Sequence, residues 1–395
     1  MPNVTTGLSK LANTKSLNEK YRGNVALLCH SASVHSDYTH AIDLFIATFG
    51  KRFTKIFGPQ HGLISNVQDN MIESDHMTHP HYNLPVYSLY SETRIPTSDM
   101  LNDIDHLFVD LQDVGTRIYT YIYTMTYVLE ACAGLDIEVI ILDRPNPIDA
   151  KTVEGNILDL NYHSFVGRHA LPTRHGMTMA EIAKWHQSHV ATTPTNLSII
   201  EMDGYKRDMY FEETRLPFVM PSPNVPVVES CFPFVGTVLF EGTNISEGRG
   251  TTRPLEIVGH PDLNPYKLVE VCQKIFKQYN LDSGLTLRPM YFMPTFQKHA
   301  GVNCGGVFIH VTARKTYRPW ATTQILYKEA RKLIGDGFSY KTDPYEYEYD
   351  KNPLDLINGT NKLRQWAEND GSVEDLLKME DYEDFQASRK SSLIY

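Results

Sequence analysis

The stretch at residues 108–121 has the residue types of a catalytic edge. An apolar, β-branched run ends there in Asp110, Gln112 and Asp113, and a helix-like segment follows after a glycine. In an open α/β sheet, ligands bind outside the carboxyl ends of parallel strands. A simpler alternative is that Asp113 and Arg117 pair and fix the turn. The side chains expected to converge on solvent here are Asp113, Arg117, Tyr119 and Tyr121.

Carboxylates at predicted strand ends and in glycine-rich loops could support acid–base chemistry. A glycosidic bond breaks when one protonated carboxyl donates to the leaving oxygen and an anionic group stabilises or attacks the oxocarbenium-like centre. About two carboxylates suffice for this reaction, and the others would be structural. The candidates are Glu73, Asp110, Asp113, Asp143, Glu154, Glu241 and Glu247.

Arginines accompany these carboxylates. Arg117, Arg144 and Arg249 could each clamp a substrate carboxylate through two parallel hydrogen bonds. Their alternative role is to form salt bridges that fix loops. The loop at residues 240–253 is the most polar and glycine-rich of the chain, and long loops of this kind are often functional.

Histidines near residue 80 suggest a metal only weakly. His76, His79 and His81 are of the ligand type that zinc and iron bind. Their spacing matches no familiar ligand set, and Pro80 favours an irregular, exposed loop. We therefore expect a solvated loop, whereas a metal-dependent hydrolase would need these imidazoles to converge.

The sequence lacks the signatures of nucleotide and serine chemistry. There is no GxGxxG after the first predicted strand, no GxxxxGK[ST] and no GxSxG. The first two motifs supply the glycine geometry that cradles phosphates, and the third exposes a nucleophilic serine on a tight turn. We expect no cofactor and no serine nucleophile.

The charge and the cysteines of the chain limit which partners and which cellular compartment we expect. The chain of 395 residues has 37 basic and 47 acidic side chains, so its formal net charge is −10. Nucleic acid and anionic membranes both require clustered cations, and neither is an expected partner. The five scattered cysteines form no CxxC pair, and the N-terminus lacks the apolar core of a signal peptide. These features predict reduced thiols and a cytoplasmic location.

Alternating apolar runs and helical patterns position the candidate residues. Strands are predicted at 24–30, 53–57, 84–90, from 108, and at 138–142, with helical patterns between them. This alternation implies parallel pairing with right-handed crossovers. After residue 254 the pattern becomes α+β, with strands predicted at 290–296 and 306–312. We expect an α/β protein with a Rossmann-like parallel sheet domain over residues 1–253 and a smaller α+β domain over residues 254–395.

Several segments give the sequence a resemblance to a known family. They are GPQHG at 58–62, QDVGTRIYTYI at 112–122, LDRPNP at 142–147, PSPNVP at 221–226 and FEGTNISEGRGTTRP at 240–254. Over nearly the whole chain they resemble the exo-β-N-acetylmuramidases, glycoside hydrolases formerly classed as a domain of unknown function. The resemblance implies removal of terminal N-acetylmuramic acid from the non-reducing end of peptidoglycan fragments, in a cleft between a Rossmann-like domain and a smaller C-terminal domain.

The sequence departs from this family at one important position. Many members carry a catalytic Glu candidate in a Pro-Glu-His-Gly segment, where this chain has Gln60. An amide can act neither as a proton-donating acid nor as a general base. Glu73, in the segment after that loop, is the first replacement. Alternatively, Gln60 positions the acetamido group of the sugar, whose oxygen attacks the anomeric carbon with support from Asp113.

The resemblance completes the set of candidate residues and partners. The expected substrate is a muropeptide or another peptidoglycan-derived sugar, whose lactyl carboxylate would meet the arginines. Loss of catalysis with retained sugar binding is the alternative, and a homodimer is left open. The catalytic candidates are Glu73, Asp113 and, as a hydrogen-bonding or proton-relay group, His61. The substrate-binding candidates are Gln60, Arg117, Tyr119, Tyr121, Asp143, Arg144, Asn146, Glu154, Asn224, Glu247 and Arg249.

Overall fold

A parallel sheet forms the centre of the N-terminal part of the chain. The structure is a computed structural model that describes residues 3–65, 68 and 72–395. The strands in these residues are β1 (Val25–Cys29), β2 (Phe53–Gly58), β3 (Met77–Thr78), β4 (Pro85–Ser88), β5 (His106–Asp110), β6 (Glu138–Leu142), β7 (Glu154–Ile157), β8 (Pro172–Arg174), β9 (Asn196–Ile200), β10 (Ile257–His260), β11 (Leu285–Phe292) and β12 (Cys304–Val311). The main sheet has the order β3-β4-β2-β1-β5-β6-β9. From β4 to β9 all neighbours are parallel, and only β3 is antiparallel, at the edge.

Helices connect and cover the strands. They are α1 (Gly7–Asn13), α2 (Lys15–Lys20), α3 (Ala41–Phe49), α4 (Ser98–Leu101), α5 (Tyr121–Cys132), α6 (Met179–His189), α7 (Phe211–Thr214), α8 (Cys231–Thr237), α9 (Pro265–Gln278), α10 (Pro319–Ile334), α11 (Pro353–Asn358), α12 (Lys362–Glu368), α13 (Val373–Lys378) and α14 (Glu383–Arg389). None of the helices in the described residues is long and apolar enough to cross a membrane.

The main sheet is covered on both faces because its strands are apolar on both sides. Leu27 of β1 and Phe108 of β5 pack with residues of α1 and α3. The next residues along the same strands, Leu28 and Val109, belong to the core that includes α5 and α6. Successive side chains of a strand point to opposite faces, so a near-continuous apolar run requires helices on both. The predicted Rossmann-like α/β class is confirmed.

The C-terminal region is a smaller α+β unit around an antiparallel sheet of order β10-β12-β11. Helices α9 and α10 pack against each other, and α9 also packs against β11 and β12. The strand predicted at 290–296 is wrong in position, because β11 runs from Leu285 to Phe292. Its start is set by pairing with β12, where Leu285 lies opposite Val311. The boundary between the domains stays a prediction.

Candidate active site

Two adjoining cavities lie where loops after the main-sheet strands meet the C-terminal region. The inner cavity is narrow, about 50 Å³, and the outer one is about 630 Å³. Glu241 and Tyr345 line both cavities, which therefore form one site. Glu247 lines the outer cavity. The sequence-predicted residues on the wall of the inner cavity are Gln60, His61, Tyr119, Tyr121, Asn224 and Arg249.

The loop after β2 brings Gln60 and His61 to the inner cavity. The strand ends at Gly58, and the Gly62 amide donates to the Pro59 carbonyl at 2.9 Å, which closes a tight turn. His61 and Gly62 have positive φ angles of 68° and 69°. A non-glycine residue seldom holds this conformation unless its surroundings enforce it, and such residues cluster at functional sites. The turn supports the choice of this loop as part of the site.

Glu346 is a buried carboxyl on the wall of the inner cavity. It lies on a turn in which the Tyr345 amide donates to the Glu348 carbonyl at 3.1 Å and the Glu348 amide donates back at 3.0 Å. Its side chain accepts a hydrogen bond from the Tyr90 hydroxyl at 2.9 Å. Burial, with a smaller contribution from the charge of Glu241, raises the pKa of Glu346 to about 7. A carboxyl with this pKa carries its proton in about half of the molecules at neutral pH.

Sequence reasoning missed Glu346. The signal available was the alternating run Tyr-Glu-Tyr-Glu-Tyr at 345–349, because a carboxylate flanked by aromatic residues is a candidate for burial. The backbone adds a second sign, since Glu346 and Tyr347 both have positive φ angles, 46° and 69°. Two such residues in succession form a turn of the primed type, which glycine and asparagine usually occupy.

Gln60 connects the Rossmann-like sheet to Glu346. Its Oε1 accepts a hydrogen bond from the Thr120 hydroxyl at 2.7 Å, and its Nε2 donates to Glu346 Oε1 at 3.3 Å. The Tyr121 hydroxyl lies 3.4 Å from the Gln60 carbonyl and donates to the Pro221 carbonyl at 2.8 Å. The amide is thus oriented so that its NH₂ faces the carboxyl. A carboxylate in place of Gln60 could not donate this hydrogen bond when ionised.

A cluster of paired charges borders both cavities. Arg249 contacts Glu241 through Nη2, and its Nε lies 3.1 Å from Glu247 Oε1. The Tyr345 hydroxyl donates to Glu241 Oε2 at 2.7 Å, and the Lys298 ammonium donates to Glu247 Oε2 at 2.7 Å. Burial opposes ionisation of Glu247, but Lys298 and Arg249 outweigh it, and its pKa lies below the usual value. The pKa values of Glu247 and Glu346 are therefore shifted in opposite directions.

Two of the predicted catalytic residues do not line the cavities. The Glu73 side chain is 46% exposed, accepts from the Tyr347 hydroxyl at 2.6 Å and lies 3.6 Å from Arg94. Residues 69–71, which precede it, lie outside the described residues. Asp113 is buried, and its Oδ2 accepts from the Gly115 amide at 2.8 Å and lies 3.1 Å from His175 Nε2.

Arg117 is fully buried and Asp113 lines neither cavity, so the expected convergence on solvent is wrong for these two residues, whereas Tyr119 and Tyr121 line the inner cavity. Burial lowers the pKa of Arg117 to about 10. It makes no ion pair with any described residue, so the alternative in which it pairs with Asp113 is wrong as well. Because its acceptors lie in distant parts of the sequence, Arg117 ties the β7–β8 hairpin to the end of α11. The acceptors of its guanidinium are the carbonyls of Asn156, Leu171, Ile357 and Asn358.

Arg144 is also committed to a structural contact. Its Nε and Nη2 lie 2.6 and 2.8 Å from the two oxygens of Asp110, a bidentate pair. Nη2 also donates to the Val34 carbonyl at 2.9 Å. The loop-fixing alternative therefore describes Arg144 better than a substrate clamp.

The remaining candidates of the strand ends are buried away from the cavities. Asp143 accepts from the Thr178 and Tyr395 hydroxyls, each at 2.8 Å, and Asn146 donates to the Met177 carbonyl at 3.0 Å. Glu154 accepts from the first amide groups of α10. Burial raises the pKa values of Asp143 and Glu154 to about 7. A raised carboxyl pKa alone therefore does not identify the active site of this molecule.

The histidine-rich segment makes local contacts with the backbone. His76 Nδ1 accepts from the Ser88 amide at 3.0 Å, and His79 Nδ1 accepts from the amides of His81 and Tyr82, each at 3.3 Å. In the part of the chain that the structure describes, no three His, Cys, Asp or Glu side chains are grouped as metal ligands.

Family models match both parts of the chain. Residues 25–229 match the family model for the N-terminal part of the exo-β-N-acetylmuramidase NamZ, and residues 232–395 match the model for its C-terminal part. A peptidoglycan β-N-acetylmuramidase NamZ from Bacillus subtilis is 36% identical over 397 aligned positions, which cover 100% of this chain and 92% of the relative.

Two solved structures share the fold. Both are crystal structures of DUF1343 family proteins from Bacteroides fragilis. The first has a TM-score of 0.87 at 28% identity, with 100% of each chain covered, and the second has a TM-score of 0.76 at 25% identity, with 99% of each chain covered. The similarity therefore extends over both parts of the chain.

Proposed function

Because the chain belongs to the exo-β-N-acetylmuramidase family and is a glycoside hydrolase, we propose that it releases terminal N-acetylmuramic acid from the non-reducing end of peptidoglycan fragments. The observation that carries the proposal is Glu346, a buried carboxyl with a pKa of about 7 on the wall of the inner cavity. Such a carboxyl is suited to donate a proton to the leaving glycosidic oxygen near neutral pH.

Glu346 would act as the general acid, with Gln60 in a supporting role. In its protonated form, Glu346 gives its proton to the glycosidic oxygen as the bond to the anomeric carbon breaks. The carboxylate that remains can accept hydrogen bonds from Gln60 Nε2 and the Tyr90 hydroxyl, which lie 3.3 and 2.9 Å from its oxygens. These donors stabilise the anion as it forms. A Gln at position 60 is therefore compatible with catalysis in this chain.

Glu241 would supply the second, anionic group. It lines both cavities, and Arg249 and Tyr345 hold its two oxygens in place. An anion fixed in this way would stabilise positive charge at the anomeric carbon. His61 lines the inner cavity and stays a candidate for a hydrogen-bonding or relay role. Tyr119, Tyr121 and Asn224 would contact the sugar.

A second candidate function is sugar binding without hydrolysis, and Gln60 is the observation that favours it. This protein would retain the cavities and the charged cluster while the carboxyl expected in the 58–62 loop is absent. Glu73, Asp113 and the acetamido oxygen of the substrate stay as alternative sources of catalysis, although neither carboxylate lines the cavities.

Product analysis on a defined saccharide tests the proposed function. The substrate is a reduced tetrasaccharide of alternating N-acetylmuramic acid and N-acetylglucosamine with muramic acid at its non-reducing end, and products are identified by mass spectrometry. We expect free N-acetylmuramic acid as the first product, and its loss in Glu346→Gln but not in Glu348→Gln. Disaccharide as the first product would contradict exo cleavage, and calorimetric binding without any product would favour the sugar binder.

A further inference from the structure

The arginines available to an acidic sugar are already occupied. Arg117 donates to backbone carbonyls and Arg144 forms a bidentate pair with Asp110. Arg249 pairs with Glu241 and Glu247, and its remaining terminal nitrogen donates to the Gln68 carbonyl at 3.3 Å. If one of these arginines bound a substrate carboxylate, it would break a buried ion pair or leave a buried carbonyl without its hydrogen bond. The free energy lost in this way exceeds the free energy that the new contact would contribute.

Lys298, the lysine nearest the charged cluster, is occupied as well. Its ammonium has three donors, and it donates to the Phe240 carbonyl at 2.7 Å, the Ile245 carbonyl at 3.1 Å and Glu247 Oε2 at 2.7 Å. Lys298 therefore fixes the 240–247 loop and has no donor left for a ligand.

Lys341 is the exception among the cations around the site. It lines the outer cavity, and its ammonium forms no hydrogen bond or ion pair with any described residue. Its Nζ lies 5.5 Å from the centre of the Tyr345 ring, within the range of a cation–π contact. Tyr345 also lines the inner cavity, so Lys341 stands at the junction with the outer one.

The backbone beneath Lys341 is fixed, although its side chain is free. The Lys341 amide donates to the Gly242 carbonyl at 3.0 Å, and Thr243 pairs with Tyr340 in an antiparallel bridge. The Ser339 amide donates to Asn244 Oδ1 at 3.0 Å. Binding of a ligand would therefore have to order only the Lys341 side chain, because the backbone that carries it is already held by these hydrogen bonds.

We propose that Lys341 binds the carboxylate of an acidic sugar in the outer cavity and thereby selects N-acetylmuramic acid over N-acetylglucosamine. The two sugars differ in the lactyl ether, whose carboxylate is the group that an ammonium would recognise. Among the carboxylates that line the outer cavity, Glu241 and Glu247 are already paired with Arg249 and Lys298, and Lys341 would offset the repulsion of an anion by Asp343. This inference rests on the proposed function and names the residue that determines its substrate class.

The test compares two ligands on four proteins. Dissociation constants of N-acetylmuramic acid and N-acetylglucosamine are measured by calorimetry for wild type, Lys341→Gln, Lys341→Arg and Lys274→Gln, a control at an exposed position of α9. Hydrolysis of a chromogenic β-N-acetylmuraminide is followed with the same proteins. Because Lys341 is a partly buried surface residue, the thermal unfolding temperature is expected to stay unchanged and is recorded for each variant.

We expect Lys341→Gln to weaken muramic acid binding about tenfold or more, since a hydrogen bond between charged groups is lost. N-acetylglucosamine binding should stay unchanged, and Lys341→Arg should retain most of the selectivity. If wild type hydrolyses the muraminide and Lys341→Gln binds muramic acid equally well, the assignment of Lys341 is overturned while the proposed function stands. If wild type binds muramic acid through Lys341 but releases no product, the proposed function fails and the subsite stands. Wild type that neither binds muramic acid nor hydrolyses the muraminide overturns both, and wild type that hydrolyses the muraminide with the same KM as Lys341→Gln overturns only the assignment of Lys341.

Discussion

Two groups of buried polar residues have similar composition and different roles. The group at the strand ends contains Asp110, Asp143, Arg144 and their neighbours, and its members are paired with one another or with backbone. The group around the inner cavity contains Glu346, whose pKa of about 7 leaves a proton available to a ligand. Carboxylates occur in both, but only the second faces a cavity. Access to a ligand, rather than burial or residue type, separates the catalytic candidates from the structural ones.

Substitution of Glu346 should separate the two groups most sharply. In Glu346→Gln the side chain keeps its shape but loses the proton, and we expect kcat to fall by about 10²- to 10⁴-fold, the range for removal of a general acid. The unfolding temperature at neutral pH should not decrease, because the cost of a buried ionisable group is removed. Steady-state kinetics and thermal unfolding measure the two effects, and Glu348→Gln is the control. Loss of activity together with loss of folding would place Glu346 in the structural group.

Removal of Arg144, in contrast to that of Glu346, should reduce the stability of the folded protein. Arg144→Met leaves Asp110 buried without its partner, and we expect a loss of about 3–5 kcal/mol in the free energy of unfolding. Chemical denaturation measures it. The double variant Arg144→Met/Asp110→Leu is the control and should recover much of the loss, because no unpaired charge remains. A loss of no more than ~1 kcal/mol, which is what an exposed ion pair contributes, would show that the pair of Arg144 and Asp110 contributes little to stability.

The sheet was predictable because its signals are local. The runs 24–30, 53–57, 84–90 and 138–142 each match a strand of the main sheet to within one or two residues at either end, since apolar β-branched runs bounded by turn residues are typical of buried parallel strands. The bounds of β11 were missed because its start depends on the register with β12, a contact that no local pattern encodes.

The site was only half predictable for the same reason. The 58–62 loop and the 240–254 segment were identified from their residues, whereas Glu346 reaches Gln60 from 286 positions away along the chain. Sequence shows that Asp113, Arg117, Asp143 and Glu346 are polar groups near turns. It does not show which of them face a cavity, because that depends on how the C-terminal region packs on the sheet.

The pH dependence of stability should show a contribution from both groups. Glu346, Asp143 and Glu154 have folded pKa values of about 7, above the values of 3.8 to 4.5 for unperturbed groups. The folded state therefore binds more protons between about pH 4 and 7, and the free energy of unfolding should decrease as the pH rises through this window. Denaturation at pH 5 and pH 8 measures the slope. In Glu346→Gln the difference in the free energy of unfolding between pH 5 and pH 8 should be smaller by about 1–3 kcal/mol. An unchanged difference would contradict the raised pKa of Glu346.

Introduction of a carboxyl at position 60 should alter the inner cavity moderately. In Gln60→Glu, two carboxyls about as close as the 3.3 Å contact seen here would share a proton, so one of the pair titrates at a higher pH. We expect the alkaline limb of the pH profile of kcat/KM to move to higher pH, and the maximum value of kcat/KM to change by about tenfold. Gain of activity from a silent wild type would instead support a sugar-binding protein.

The smallest effect is expected at Glu73. Its side chain is nearly half exposed and bonded to Tyr347 on the rim of the site, so Glu73→Gln should change kcat by less than about threefold. Kinetics with the chromogenic muraminide measure this effect, and Glu92→Gln, at another exposed position, is the control. A loss as large as that of Glu346→Gln would restore Glu73 as the acid.

The role of Glu346 as the acid is tested most directly by the pH–rate profiles of wild type and Glu346→Gln on two muraminides. One has a sugar leaving group, which needs protonation, and the other has a dinitrophenyl leaving group, which does not. We predict that wild type loses activity on the first as the pH rises through about 7, where Glu346 becomes ionised. Glu346→Gln should lack this limb and retain most activity only on the dinitrophenyl compound. Equal losses on both substrates, or an unchanged alkaline limb, would contradict proton donation by Glu346.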